Sequence, residues 1–116
     1  MLRKYRTAAE VYASASDLPE EVFTELLRGA VVLDSEYGED RDCNSSGGFS
    51  LVAETAEDLQ QVKTILNYDT YPCEWVTRLG NSGYLSALYI LNNDFSIMLF
   101  LPEAIAPYML LKEIEN

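Results

Sequence analysis

The succession of helix-like and strand-like segments predicts an α+β fold. The expected domain is single, an antiparallel sheet of about five strands with two to three helices in the order α-β-β-α-β-β-β-α. Two capping signatures, Asp17-x-x-Glu20 and Thr55-x-x-Asp58, each precede apolar residues at helical spacing. Short apolar runs divided by glycine- and asparagine-rich turns follow them, as in β-hairpins. With 116 residues, 48% of them hydrophobic, the chain is long enough to bury one core.

Residues 1–16 form an N-terminal segment of mixed signal, set apart from a domain spanning 17–116. Ala8, Ala9 and Ala13 favour helix while Val11 and Tyr12 suit a strand, so the segment is expected to be mobile or to fold back. The first predicted helix runs from Leu18 to Arg28. Asp17 caps it, Pro19 suits its first turn, Val22, Phe23, Leu26 and Leu27 share a face, and Gly29 provides the exit. Ala30 to Leu33 and Phe49 to Ala53 then read as the two strands of a hairpin.

A second helix covers about Ala56 to Asn67, with Ala56, Leu59, Val62 and Leu66 facing the core. Glu74 to Leu79 alternates like a half-exposed edge strand, and Gly80 to Gly83 forms a turn into Tyr84 to Leu91. Asn92 to Asp94 turn again into Phe95 to Leu101. These last two strands are apolar on both faces and belong at the centre of the sheet. Pro102 ends the strand, and Glu103 to Glu115 reads as a terminal helix interrupted at Pro107, packed through Leu110, Leu111 and Ile114.

Charge narrows the function. Nineteen acidic against 8 basic residues give a net charge of −11, with no histidine. Arg3, Lys4 and Arg6 stand at the start, so residues 7–116 hold 19 acids against 5 bases, a net of −14. Such a field repels phosphate backbones and anionic membranes and attracts cationic partners. Direct nucleic-acid or membrane binding is therefore not expected. The apolar stretch Tyr84 to Leu101 is interrupted by Asn92, Asn93 and Asp94, which argues against a membrane span. No secretory leader pattern is present in the first residues, so the expected compartment is the cytoplasm, with Cys43 and Cys73 reduced.

Catalytic chemistry finds little support. Histidine is absent, Cys43 lies among acids that disfavour its thiolate, and no carboxylate pair comes with a second polar shell. Asp40, Asp42 and Asn44 match the first three ligand positions of an EF-hand loop. Ser45 then stands in the glycine position and Leu51 in that of the bidentate glutamate. No cofactor or metal is expected.

The feature left over is the acidic stretch Asp34 to Gly48, expected at the hairpin tip. Asp34, Glu36, Asp40 and Asp42 share parity, so an extended backbone would project them to one face about 6.6 Å apart. With Tyr37 and Glu39 they are the expected partner-binding residues, suited to a basic protein surface such as that of a DNA-binding enzyme. A row of carboxylates on a small anionic protein is how a DNA mimic occupies a groove built for phosphates. The same residues also fit a solvated tip, a small enzyme or metal protein using Asp40, Asp42 and Asn44, or a structural subunit that dimerises by its edge strand, so both monomer and homodimer remain open.

The run Leu33 to Asp42, followed by Gly47, Gly48, then Leu51 to Thr55 and later Leu91 to Ile97, resembles small acidic uncharacterised proteins of gut Firmicutes conjugative elements. The likeness covers most of residues 20–107. It implies the company of accessory genes, among which acidic antirestriction proteins are frequent, and it assigns no functional residue.

Overall fold

Strands that are apolar at both parities need a covering layer on each face of their sheet, since either face left open would expose a full row of large side chains. The computed structural model, which describes residues 1–36, 48–91, 95–111 and 114–115, meets that requirement. The chain runs β1 (Arg3–Tyr5), α1 (Ala8–Ser14), α2 (Glu20–Glu36), β2 (Gly48–Val52), α3 (Ala56–Leu66), β3 (Trp75–Arg78), β4 (Tyr84–Ile90) and β5 (Ser96–Pro102). A 3-10 helix (Glu103–Met109) and a two-residue β6 (Ile114–Glu115) complete it.

The sheet order is β1-β2-β5-β4-β3-β6. β4 and β5 lie at its centre, as their two-faced apolar character requires. The α+β architecture and the mostly antiparallel sheet match expectation, with two parallel pairs, β2 with β5 and β3 with β6. The first parallel pair follows from connectivity: α3 carries the chain from β2 across the sheet, and two hairpin reversals return β5 beside β2 in the same direction. Gly48 faces Ser96 in that pair, and a Cβ there would collide with the Ser96 carbonyl.

One face of the sheet is covered by α3 and the 3-10 helix, where Leu59, Val62, Leu66 and Met109 pack on Leu51, Leu85, Ala87 and Leu99. Tyr89 is fully buried in this layer, and its hydroxyl has no hydrogen-bond partner among the described residues. The other face is covered by α1 and α2, whose Val11, Val22 and Leu26 meet Val52, Leu79 and Phe100. Successive residues of β5 divide between the two layers: Leu99 goes to the first and Phe100 to the second.

Three expectations are corrected. Ala30 to Leu33 is not a strand but the interior of α2, which runs on to Glu36, so no hairpin joins it to β2. The spacing Val22, Leu26, Ala30, Leu33 continues a helical period through Gly29, and that period outweighs both the glycine and the β-branched pair Val31, Val32. Residues 1–16 fold back on the sheet: β1 pairs antiparallel with β2, Tyr5 is buried, and the Thr7 hydroxyl caps α1 by accepting from the Glu10 N–H.

β3 is not an edge strand, because β6 pairs with Val76 and Thr77 on its free side. The chain beyond Pro102 forms a 3-10 helix containing Pro107, then reverses at Leu110 with φ of 51°. Leu110 is 80% exposed instead of packed. The expected turn Asn92 to Asp94 lies outside the described residues, whereas Gly80 and Gly83 take the positive φ values, 55° and 80°, that the β3–β4 turn needs.

Gly29 decides between helix interior and helix exit. A Cβ there meets nothing within 4 Å. Gly29→Ala is expected to raise the unfolding free energy by about 0.5–1 kcal/mol in urea titration; a loss of similar size would place Gly29 at a left-handed helix end.

Candidate functional surface

The segment before α2 is held by a single guanidinium. Arg3 donates two hydrogen bonds to the Asp17 carboxylate at 2.8 and 2.7 Å, one to Glu54 at 2.8 Å and one to the Ser14 carbonyl at 3.1 Å. It thereby ties β1 to the end of α1, to the loop before α2 and to the end of β2. The hydrogen bond from Arg3 holds the Asp17 carboxyl below the usual carboxylate range, and Asp17 and Glu54 push Arg3 further up. Tyr5 adds a second tie, its hydroxyl donating to the Ser14 carbonyl at 3.2 Å.

A second ordered carboxylate starts α3. Asp58 is buried and accepts from the backbone N–H groups of Glu54 at 2.9 Å and Thr55 at 3.2 Å, while its own N–H donates to the Thr55 hydroxyl. Burial opposes ionisation of Asp58. The two backbone donors and the amino group of Met1, 3.4 Å away, outweigh it and hold the carboxyl below its ordinary value. Both carboxylates are structural fasteners.

The surface with charge to spare is α2. Its 17 residues hold five acids, Glu20, Glu21, Glu25, Asp34 and Glu36, against one base, Arg28. Glu20 and Glu21 stand in the first turn, where the helix dipole favours them. Arg28 pairs with Glu25 at 2.6 Å and Arg78 with Glu103 at 3.1 Å, whereas Glu20 and Glu21 are in no ion pair among the described residues. An open groove of about 430 Å³ runs between the start of α2 and the β3–β4 turn, lined by Glu20, Glu21, Thr24, Glu25, Thr77 and Arg78.

Asp34 and Glu36 fall in the last turn of α2, a turn with no basic residue. The backbone there is helical, not extended. The extended row is therefore absent at its first two members. Tyr37, Glu39, Asp40 and Asp42 lie outside the described residues, as do Cys43 and Asn44. Glu20, expected as the acid of a capping signature, and Glu21 and Glu25, solvent-facing on the predicted helix, are brought together as one surface by the fold. Their i, i+1, i+5 spacing on an acidic helix was the available signal.

Among the described residues, no three His, Cys, Asp or Glu side chains come together as a metal site, and no helix is long and apolar enough to cross a membrane. Cys73 is a buried thiol whose Sγ donates to the Trp75 carbonyl at 3.2 Å. The cations Lys4 and Arg6 lie over the Phe49 ring, 4.2 and 5.7 Å from its centroid. Comparison with protein-family models, with curated proteins and with solved structures gives no match.

Because the Asp58 carboxyl is depressed in the folded state, its contribution is fully present above the unfolded carboxylate range and is lost as pH falls below about 4. Asp58→Asn is expected to cost about 1–3 kcal/mol at pH 7. The cost should shrink as pH falls through the depressed native range of the carboxyl, where Asp58 is itself protonated. Urea midpoints of both proteins across that range measure it, and a pH-independent difference would show that charge at Asp58 is not what fastens α3.

Proposed function

We propose that the chain is a non-enzymatic, acidic protein-binding module of the cytoplasm whose partner presents a basic surface, as a DNA-binding enzyme does. The observation that carries this reading is the placement of Asp34 and Glu36. Acidic residues in the last turn of a helix oppose its dipole, and no basic residue in that turn offsets them. Charge kept where it weakens its own helix fits selection for contact instead of stability.

Among the described residues, three arginines are engaged internally, Arg3 with Asp17 and Glu54, Arg28 with Glu25, Arg78 with Glu103. The acid excess is thus left for a partner. The most concrete form of the proposal is an antirestriction-like or nuclease-inhibiting DNA mimic, whose contact runs from Asp34 and Glu36 into Tyr37, Glu39, Asp40 and Asp42. The resemblance to proteins of conjugative elements supports that form through the company of accessory genes.

The test combines capture with stability. The intact chain, immobilised at low salt, is expected to retain DNA-binding proteins from a bacterial lysate and to release them to rising salt or to competing duplex DNA. Asp34→Lys with Glu36→Lys should abolish retention while raising stability by about 0.3–1 kcal/mol per substitution, since each places a cation at a helix C-terminus. Retention that survives both substitutions would remove these residues from the contact; retention indifferent to duplex DNA would remove mimicry.

A further inference from the structure

On the α2 face of the sheet, a corner at Trp75 and Ile90 is exposed among the described residues. Trp75 of β3 opposes Leu88 of β4, and Leu88 opposes Met98 of β5, so the three form one row across the strands. Alternation puts Ile90 on the same face, two residues beyond Leu88. Met98 packs against the α1–α2 layer, while Trp75 is 52% and Ile90 46% exposed. Met1, Tyr12, Ile65, Tyr108 and Leu110 are also exposed, but Trp75 and Ile90 stand on one face of neighbouring strands, which makes them a shared apolar patch.

This corner continues the acidic groove. Thr77, two residues from Trp75 and on the same face of β3, lines the groove with Glu20, Glu21 and Glu25. One strip of surface therefore has a carboxylate wall along the start of α2 and an apolar floor at Trp75 and Ile90. Glu20 and Glu21, with no ion pair among the described residues, supply the uncompensated charge of the wall.

We propose that this strip docks a basic amphipathic segment of the partner, its Lys or Arg side chains on Glu20 and Glu21 and an apolar side chain on Trp75 and Ile90. The proposal rests on the acidic-module reading and names the partner chemistry. Charge alone would select any polycation; the tryptophan adds a requirement for an apolar anchor, the pairing of central aromatic contact with charged rim seen at binding hot spots. Lysine-rich and apolar character must therefore occur together in the ligand.

Trp75 is the only tryptophan of the chain, so its emission reports the site directly. The probe is an acetylated, amidated peptide of leucine and lysine with leucines at helical spacing, titrated into the intact protein. The expected result is a saturable blue shift of Trp75 emission. The same peptide with serine for leucine, or glutamate for lysine, should bind about tenfold more weakly or not at all.

Glu20→Gln with Glu21→Gln, which keeps side-chain size, and Ile90→Ser, at an exposed position, should each weaken binding several-fold without loss of the folded far-ultraviolet signal. Equal binding of the leucine-free peptide, or binding that leaves Trp75 emission unmoved, overturns the docking strip. That failure is separable from failure of the module reading: with the strip wrong, salt-released capture still depends on Asp34 and Glu36; with the module wrong, no DNA-binding protein is retained whatever the peptide does.

Discussion

Everything in this molecule follows from the burial of β5 on both sides. Leu99 and Phe100 are adjacent in sequence and end in different hydrophobic layers, so neither helical layer can be dispensed with. A fully buried side chain of this size contributes about 1.5–3 kcal/mol. Stripping either layer would forfeit several such contributions at once. The need for a second layer is what recruits residues 7–36, which would otherwise be an amphipathic arm with nothing to cover.

That recruitment explains the N-terminal node. β1 is only three residues long, too short to hold an edge by backbone pairing alone, and it is secured by Tyr5 entering the second layer and by the fork of Arg3 on Asp17 and Glu54. The bidentate geometry suits a guanidinium and would not be reproduced by lysine. It also consumes one of the few cations in the chain. The acidic excess at the surface is in part a consequence of where the arginines are spent.

Much of this was legible in the residues. The Thr55–Asp58 capping box, the glycines of the β3–β4 turn and the double-parity strands β4 and β5 each depend on local chemistry or simple alternation, and each is found where expected. The errors share a cause. Gly29 is a common helix exit, and Val31 with Val32 is strand-like in isolation, so local propensity predicted a break where the helix runs on to Glu36. The N-terminal segment carried its own signal in Thr7 and Glu10, a capping pair three residues apart, but the pairing of Arg3–Tyr5 with β2 links positions nearly fifty residues apart and has no local trace. Glu20 reads as a capping acid and Glu21 as a solvated one, and only the fold sets both in a groove with Thr77 and Arg78.

The reassignment of residues 29–36 changes what the acidic stretch is. A hairpin tip would present its carboxylates as a row held by two strands; a helix end presents them against an unfavourable dipole, adjoining a helix whose other end is already acidic. The functional reading depends on that geometry. Backbone 13C chemical shifts of residues 29–36 test it most directly. Helical Cα and Cβ shifts through Glu36, with sequential amide contacts unbroken at Gly29, are the predicted result. Extended shifts over Ala30–Leu33, with cross-strand contacts to Gly48–Val52, would contradict it and restore the hairpin.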